Sequence, residues 1–252
     1  MLDTNEYDTA RMSAVKSAEP TRLSRRQRAE ATHWRIVRAA YTLFCQRGYA
    51  GTTMPQIADA AGVAVQTVYF AFHTKGVLLS RAYDFAVLGD KPLDPHEQPW
   101  HLAVNAEPDV TQAVRAFVTG VGEIMRRATP LYIVARVAAD GDPDAAEITA
   151  IHERRQADGY REALDLLGTK AELRHGLTLE RATDLLLLFV GMDAYHALVA
   201  GRGWSHDEWI DWTASAVSEQ IFERTSIDRL PADSRSGAST RQKTLPSSSS
   251  TQ

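Results

Sequence analysis

The residues best placed to do chemistry on a partner fall in one stretch, Thr53 to Lys75. On a helical wheel at about 100° per residue, Gln66, Thr67 and Phe70 share one face of a short helix that begins near Val65, with Tyr69 and Ala71 on its flanks. Val65, Val68 and Phe72 cluster on the other face, which is expected to pack inward. A helix that buries one side and offers small, polar and aromatic groups on the other suits the major groove of DNA. Lys75 follows Thr74, a good N-cap, and so opens a further helix. There a cation and unsatisfied backbone N–H groups can hold a phosphate together.

Other elements must hold this helix in place. Thr53 and Gln56 have the spacing of a capping box, and Pro55 fits a first helical turn. Ile57, Ala58 and Ala61 give the helix they open a short apolar face, and Gly62 ends it. Two short helices around a glycine turn outline a helix-turn-helix. Ahead of them, a helix from about Arg26 to Arg47 carries Ile36, Val37, Ala40, Leu43 and Phe44 at helical spacing and ends at Gly48. Trp34 and Cys45 on it read as packing residues.

The stretch resembles the DNA-binding signature of the TetR (tetracycline-repressor type) family of bacterial transcription regulators. The resemblance rests on Gly48-Tyr49, Thr52-Thr53, Ile57-Ala58, Ala61-Gly62-Val63, Thr67-Val68-Tyr69, Phe72 and Lys75-Gly76-Val77-Leu78-Leu79. It covers the N-terminal module only. It implies that Thr53, Tyr69 and Lys75 hold phosphates, that Val65, Gln66, Thr67 and Phe70 face bases, and that His73 lies at the same surface. Two positions depart from the family pattern. Ala64 replaces the usual Ser or Thr cap of the recognition helix, a loss of about 1 kcal/mol. Gly76 replaces an acidic residue common after the lysine, which removes a second capping box. A recognition helix that frays without DNA is the expected result.

Charge is unevenly distributed. Between Arg22 and Lys75, eight bases (Arg22, Arg25, Arg26, Arg28, Arg35, Arg38, Arg47, Lys75) face two acids, Glu30 and Asp59. That segment carries +6 in a chain of net −4, leaving −10 elsewhere. A basic segment on an acidic body is the footprint of a nucleic-acid module. Residues 1–21 lack periodicity and read as a disordered arm, with Arg25 and Arg26 at its junction with the first helix, placed for phosphates or the minor groove.

The expected fold is all-α: an N-terminal three-helix DNA-binding module with its helix-turn-helix, plus a larger C-terminal helical ligand-binding and dimerisation domain. Residues 22–88 form the module and a connecting helix, and 89–108 a linker set by Pro92, Pro95, Pro99 and Pro108. The body, 109–225, is expected to hold helices at about 109–127, 130–140, 143–167, 179–200 and 205–224, and 226–252 to be a disordered tail. A single cysteine excludes an intrachain disulfide and fits the cytoplasm.

Enzymatic readings fail on spacing. His96 and His101 are five apart with Pro99 between them, unlike a zinc-protease helix, and no nucleotide loop, serine elbow or Cys–His cluster occurs. No catalytic residue, cofactor or metal is expected.

Specific binding by short recognition helices needs two half-sites and a symmetric dimer. Leu185, Leu186, Phe189, Met192 and Leu198, with Trp209, Trp212 and Ala216, supply more apolar surface than one helix face needs. The resemblance implies that these two helices form a four-helix homodimer interface, with Leu185, Phe189, Trp209, Trp212 and Ala216 in it; otherwise they fill the monomer core. Asp193 and His196 interrupt an apolar helix, and Tyr132, Arg136, His152 and Tyr160 put polar groups on neighbouring ones. Such groups orient a small effector, with Trp100 and His101 as a gate, though an Asp–Arg pair would serve a core equally well. The expected function is a repressor released from a palindromic operator by a small molecule. The alternatives are an activator and a small-molecule-binding helical protein with a relic DNA module.

Overall fold

A computed structural model describes residues 24–89 and 97–223. The expected arm and tail, together with Arg22, Pro92, Pro95 and His96, lie outside the described residues. The described residues form helices joined by turns, and their only β feature is one isolated bridge between Leu173 and Phe222. Contacts divide the chain into two compact units: residues up to 91 with 133–148, and 92–132 with 149–252.

In the first unit, α1 (Arg25–Arg47) starts at a capping box. Gln27 N–H donates to Ser24 Oγ at 3.2 Å, and Ser24 N–H to Gln27 Oε1 at 2.8 Å. Its apolar stripe packs on α2 (Met54–Ala61) and α4 (Lys75–Leu88), while α3 (Val65–Phe72) packs on α2. Ile36, Val37, Phe44, Ile57, Val68, Phe72, Leu78 and Leu79 are buried in the resulting core, each contributing about 1.5–3 kcal/mol of transfer free energy. Thr52 is buried with them, its hydroxyl donating to the Gly48 carbonyl at 2.8 Å.

In the second unit, the proline-rich segment expected to be a linker carries a helix, α5 (Pro99–Ala106). Proline is tolerated in a first turn, where its missing N–H would find no partner anyway. α6 (Val110–Ala139), whose residues from 133 onward fall in the first unit, runs unbroken past Pro130, where the periodicity suggested two helices. Proline deprives the Arg126 carbonyl of its i→i−4 donor, but both residues are exposed, so water can replace it. α7 (Pro143–Gly168), in the first unit up to residue 148, ends where expected.

The expected helix over residues 179–200 is in fact broken. α8 (Leu179–Val190) stops at Gly191, whose ψ of 156° is extended, and α9 (Met192–Tyr195) gives way to a π turn at His196–Ala200. The break frees the Val190 carbonyl, which accepts from the buried Tyr160 hydroxyl at 3.0 Å. By length and composition alone, Leu179–Ala200 is apolar enough to cross a membrane. α10 (His206–Ile221) begins at the Ser205–Glu208 capping box expected for it.

Candidate nucleic-acid interface

The α2–turn–α3 unit is built from local signals. Thr53 Oγ1 accepts from Gln56 N–H at 3.4 Å, while Gln56 Oε1 accepts from Thr53 N–H at 2.9 Å. Gly62 takes the left-handed conformation, φ 63° and ψ 44°, which turns the chain into α3. Of the α3 residues, Val68 and Phe72 are buried and Val65 is half-buried. Phe72 stacks on His33 of α1, ring centroids 4.8 Å apart, which fixes the helix to the core. Burial and the Arg81 guanidinium hold His33 below the ordinary imidazole range, against a weaker opposing influence from Glu30. Gln66, Thr67, Tyr69 and Phe70 point outward, and Phe70 is 86% exposed.

Ala64 occupies the N-cap of α3 with cap-like φ and ψ, −66° and 142°, but no side-chain hydrogen bond. α1, α2 and α4 each have one, from Ser24, Thr53 and Thr74. The Thr74 hydroxyl accepts from Val77 N–H, which makes residue 77 the third helical position. Gly76 therefore costs α4 no capping-box partner, contrary to expectation.

Two features were not legible in the sequence. His73, exposed between α3 and α4, has φ 60° and ψ −58°, and Thr74 N–H donates to the Phe72 carbonyl across it at 2.6 Å. This is a γ-turn with positive φ, a strained conformation for any side chain. Lys75 is half-buried: its Nζ donates to the Tyr49 carbonyl at 2.9 Å and sits 4.0 Å from the Tyr49 ring centroid. The ammonium expected to hold a phosphate is thus already engaged by Tyr49, with hydrogen-bonding capacity left for an anion. Tyr49 itself is buried, and its hydroxyl is pushed up to about 12 by burial, by Asp142 and Asp144, and by a hydrogen bond to Asp142.

Arg25 and Arg26 are exposed in the first turn of α1, which has no acidic residue. Cations at a helix N-terminus oppose the macrodipole, so their placement is unfavourable unless an anion joins them.

The residues assigned to an effector site are not gathered in one core. Tyr132 is buried and donates to Asp193 Oδ2 at 3.0 Å, but Asp193 and His196 are both exposed, because the break at Gly191 redirects the residues after it. Trp100, half-buried, meets the edge of Phe117 at 5.8 Å, and Phe117 meets Tyr160 at 5.9 Å. Arg136 is exposed and belongs to the first unit, unlike Trp100, Tyr132, Asp193 and His196.

Among the residues assigned to a dimer surface, Leu185, Phe189 and Ala216 are half-buried and Trp212 is 43% exposed. Phe189 and Trp212 meet edge to face at 6.2 Å, and Leu188, absent from the expected set, is 63% exposed on the same helix as Phe189. Trp209 is the correction. It has no exposed surface, packing 4.9 Å from the Tyr195 ring and against Gly122 of α6, so it is core and cannot contact a partner.

The N-terminal helices have the arrangement of a helix-turn-helix module, followed by a helical C-terminal body. Residues 36–82 match the family described as bacterial regulatory proteins, tetR family. The chain thus carries a TetR-family DNA-binding domain and has the fold of TetR-family transcriptional regulators. Three solved structures show that fold. A TetR-family regulator from Rhodococcus sp. has 15% identity and TM-score 0.59, covering 77% of this chain and 99% of that one. NalD, the secondary repressor of the MexAB-OprM multidrug efflux pump in Pseudomonas aeruginosa, has 18% identity and TM-score 0.57, covering 77% and 98%. FadR from Bacillus subtilis, solved with stearoyl-CoA, has 14% identity and TM-score 0.57, covering 73% and 95%. Comparison with curated proteins gave no match.

Proposed function

We propose that this protein is a cytoplasmic, homodimeric repressor that leaves a palindromic operator when a small molecule occupies its C-terminal body. The observation that carries the reading is the outer face of α3, where Gln66, Thr67, Tyr69 and Phe70 are exposed on a helix whose other side is fixed by Val68 and Phe72. Gln66 offers a bidentate amide to adenine, and Thr67 and Phe70 offer apolar contact to thymine methyl groups. Arg25, Arg26, Thr53, Tyr69, His73 and Lys75 supply backbone contacts, with phosphates relieving the unfavourable cations at the start of α1. The surface of Leu185, Leu188, Phe189, Trp212 and Ala216 supports pairing of two chains, which sets the recognition helices about 34–36 Å apart for adjacent major grooves. Among the solved neighbours, NalD is a repressor and FadR was solved with an acyl-CoA, which supports repression and effector release. The effector acts by favouring a spacing of the two modules that no longer fits the operator.

A gel-shift assay against the DNA upstream of the protein's own coding sequence, at two salt concentrations, tests this. Retardation at low salt is expected. Lys75→Ala should weaken binding to all sequences alike, and Gln66→Ala should change sequence preference. No retardation at low salt would remove the reading.

A further inference from the structure

The turn between α6 and α7 belongs, by its contacts, to the same unit as the N-terminal helices, and Asp142 in that turn and Asp144 in the first turn of α7 reach Lys75's surroundings. Asp142 does two things. Its Oδ1 accepts from Ala145 N–H at 3.0 Å, capping α7, and it accepts the Tyr49 hydroxyl hydrogen bond. Tyr49 in turn holds Lys75 through its carbonyl and its ring face. Asp144 lies against Gly76, the residue after Lys75. A Cβ at position 76 would stand 2.8 Å from Asp144 Cβ and 2.9 Å from its Oδ2. The absence of a side chain at Gly76 is what admits this carboxylate to the first turn of α4, where a negative charge is favoured. The carboxylate beside the start of α4 thus comes from a residue 68 positions later, on another helix.

We propose that Asp142 and Asp144 are positioning residues for Lys75: Asp142 acts through Tyr49, and Asp144 through the carboxylate it lays against Gly76 in the first turn of α4. The inference rests on the DNA-binding reading only in assigning Lys75 to a phosphate. The α6–α7 turn thereby becomes part of the phosphate-binding apparatus, and its displacement loosens Lys75 without any change in the recognition helix. Tyr49→Phe isolates the first link, because it keeps the ring and the carbonyl and removes the hydroxyl alone. Gly76→Asp should collide with Asp144, and adding Asp144→Gly should relieve the collision while returning a carboxylate to the start of α4.

Two measurements on the full chain test this. In the first, the rate of reductive methylation of Lys75, followed by mass spectrometry without DNA, should rise several-fold in Tyr49→Phe and Gly76→Asp and return towards wild type in Gly76→Asp/Asp144→Gly. In the second, fluorescence anisotropy with a random-sequence 30-base-pair duplex, across a salt series, should show about three- to tenfold weaker low-salt binding for Tyr49→Phe. The slope of log affinity against log salt should fall by up to about 0.9 per lost Lys75 contact. In a Lys75→Ala background, Tyr49→Phe should have no further effect. Unchanged methylation rates, no recovery in the double variant, or equal Tyr49→Phe effects with and without Lys75 would overturn the positioning role. Altered methylation with no DNA binding by the wild type would instead overturn the DNA-binding reading and leave the Tyr49–Lys75 link standing.

Discussion

Replacing Ala64 with Ser should stiffen the recognition helix, by an amount set by the local hydrogen bonds. The backbone at Ala64 already has cap geometry, so a serine hydroxyl there needs no rearrangement to reach the first-turn amides. A new N-cap is worth about 0.5–2 kcal/mol in general. The gain here lies at the lower end, because Thr67 N–H, one of the donors a cap would satisfy, already bonds the Ala64 carbonyl at 2.9 Å. We expect about 0.5–1 kcal/mol, or a two- to fivefold shift in the local opening equilibrium. Amide hydrogen exchange of the DNA-free protein reads this directly: α3 amides in the wild type should exchange faster than those of α2, and Ala64→Ser should slow them by that factor. DNA binding should tighten by no more than the same factor, since the ordering cost removed is all that changes. The reasoning is refuted if wild-type α3 is as protected as α2, or if Ala64→Ser leaves its exchange unaltered.

Three further outcomes are expected. His73→Gly should stabilise the protein by about 1 kcal/mol in urea unfolding, because strain of about 1–3 kcal/mol is relieved against a glycine entropy cost of about 0.5–1 kcal/mol. His33 titrates lower in the fold than in the unfolded chain, so the unfolded state binds more protons and stability falls as pH drops through the ordinary imidazole range. The urea midpoint should therefore decrease from about pH 7 to pH 5, and His33→Phe, which keeps the stack on Phe72, should flatten that dependence. Leu188→Arg with Trp212→Glu should give monomers in sedimentation and about a hundredfold weaker operator binding, as expected when two linked sites become one.

The DNA-binding module was legible in the sequence because its determinants are local. Capping boxes, a glycine turn and a helical apolar stripe all act within a few residues of one another, and α2 and α3 fall where those signals put them. The body was harder to read. Pro130 looks like a helix boundary, but the broken bond lies on an exposed side where water can replace it. Gly191 looks like any small residue in an apolar run, and its break depends on Tyr160, 31 positions earlier, to satisfy the freed carbonyl. Trp209 and Trp212 share a composition but not a fate, since periodicity separates a helix's faces without saying which one meets its own chain. His73's conformation and the Tyr49–Lys75 contact leave no trace in spacing.

The grouping of residues 133–148 with the DNA-binding helices has a consequence for the order in which the protein is made. A chain emerging from the ribosome N-terminus first completes α1 to α4 while Asp142 and Asp144 are still unsynthesised. Tyr49 and the flank of Gly76 must then wait for α6 and the start of α7 before their partners exist. The same holds for chimeras. A head transplanted onto a foreign sensor at the end of α4 would bring its recognition helix but leave these contacts behind, whereas an exchange that also carries residues 133–148 would move the whole unit.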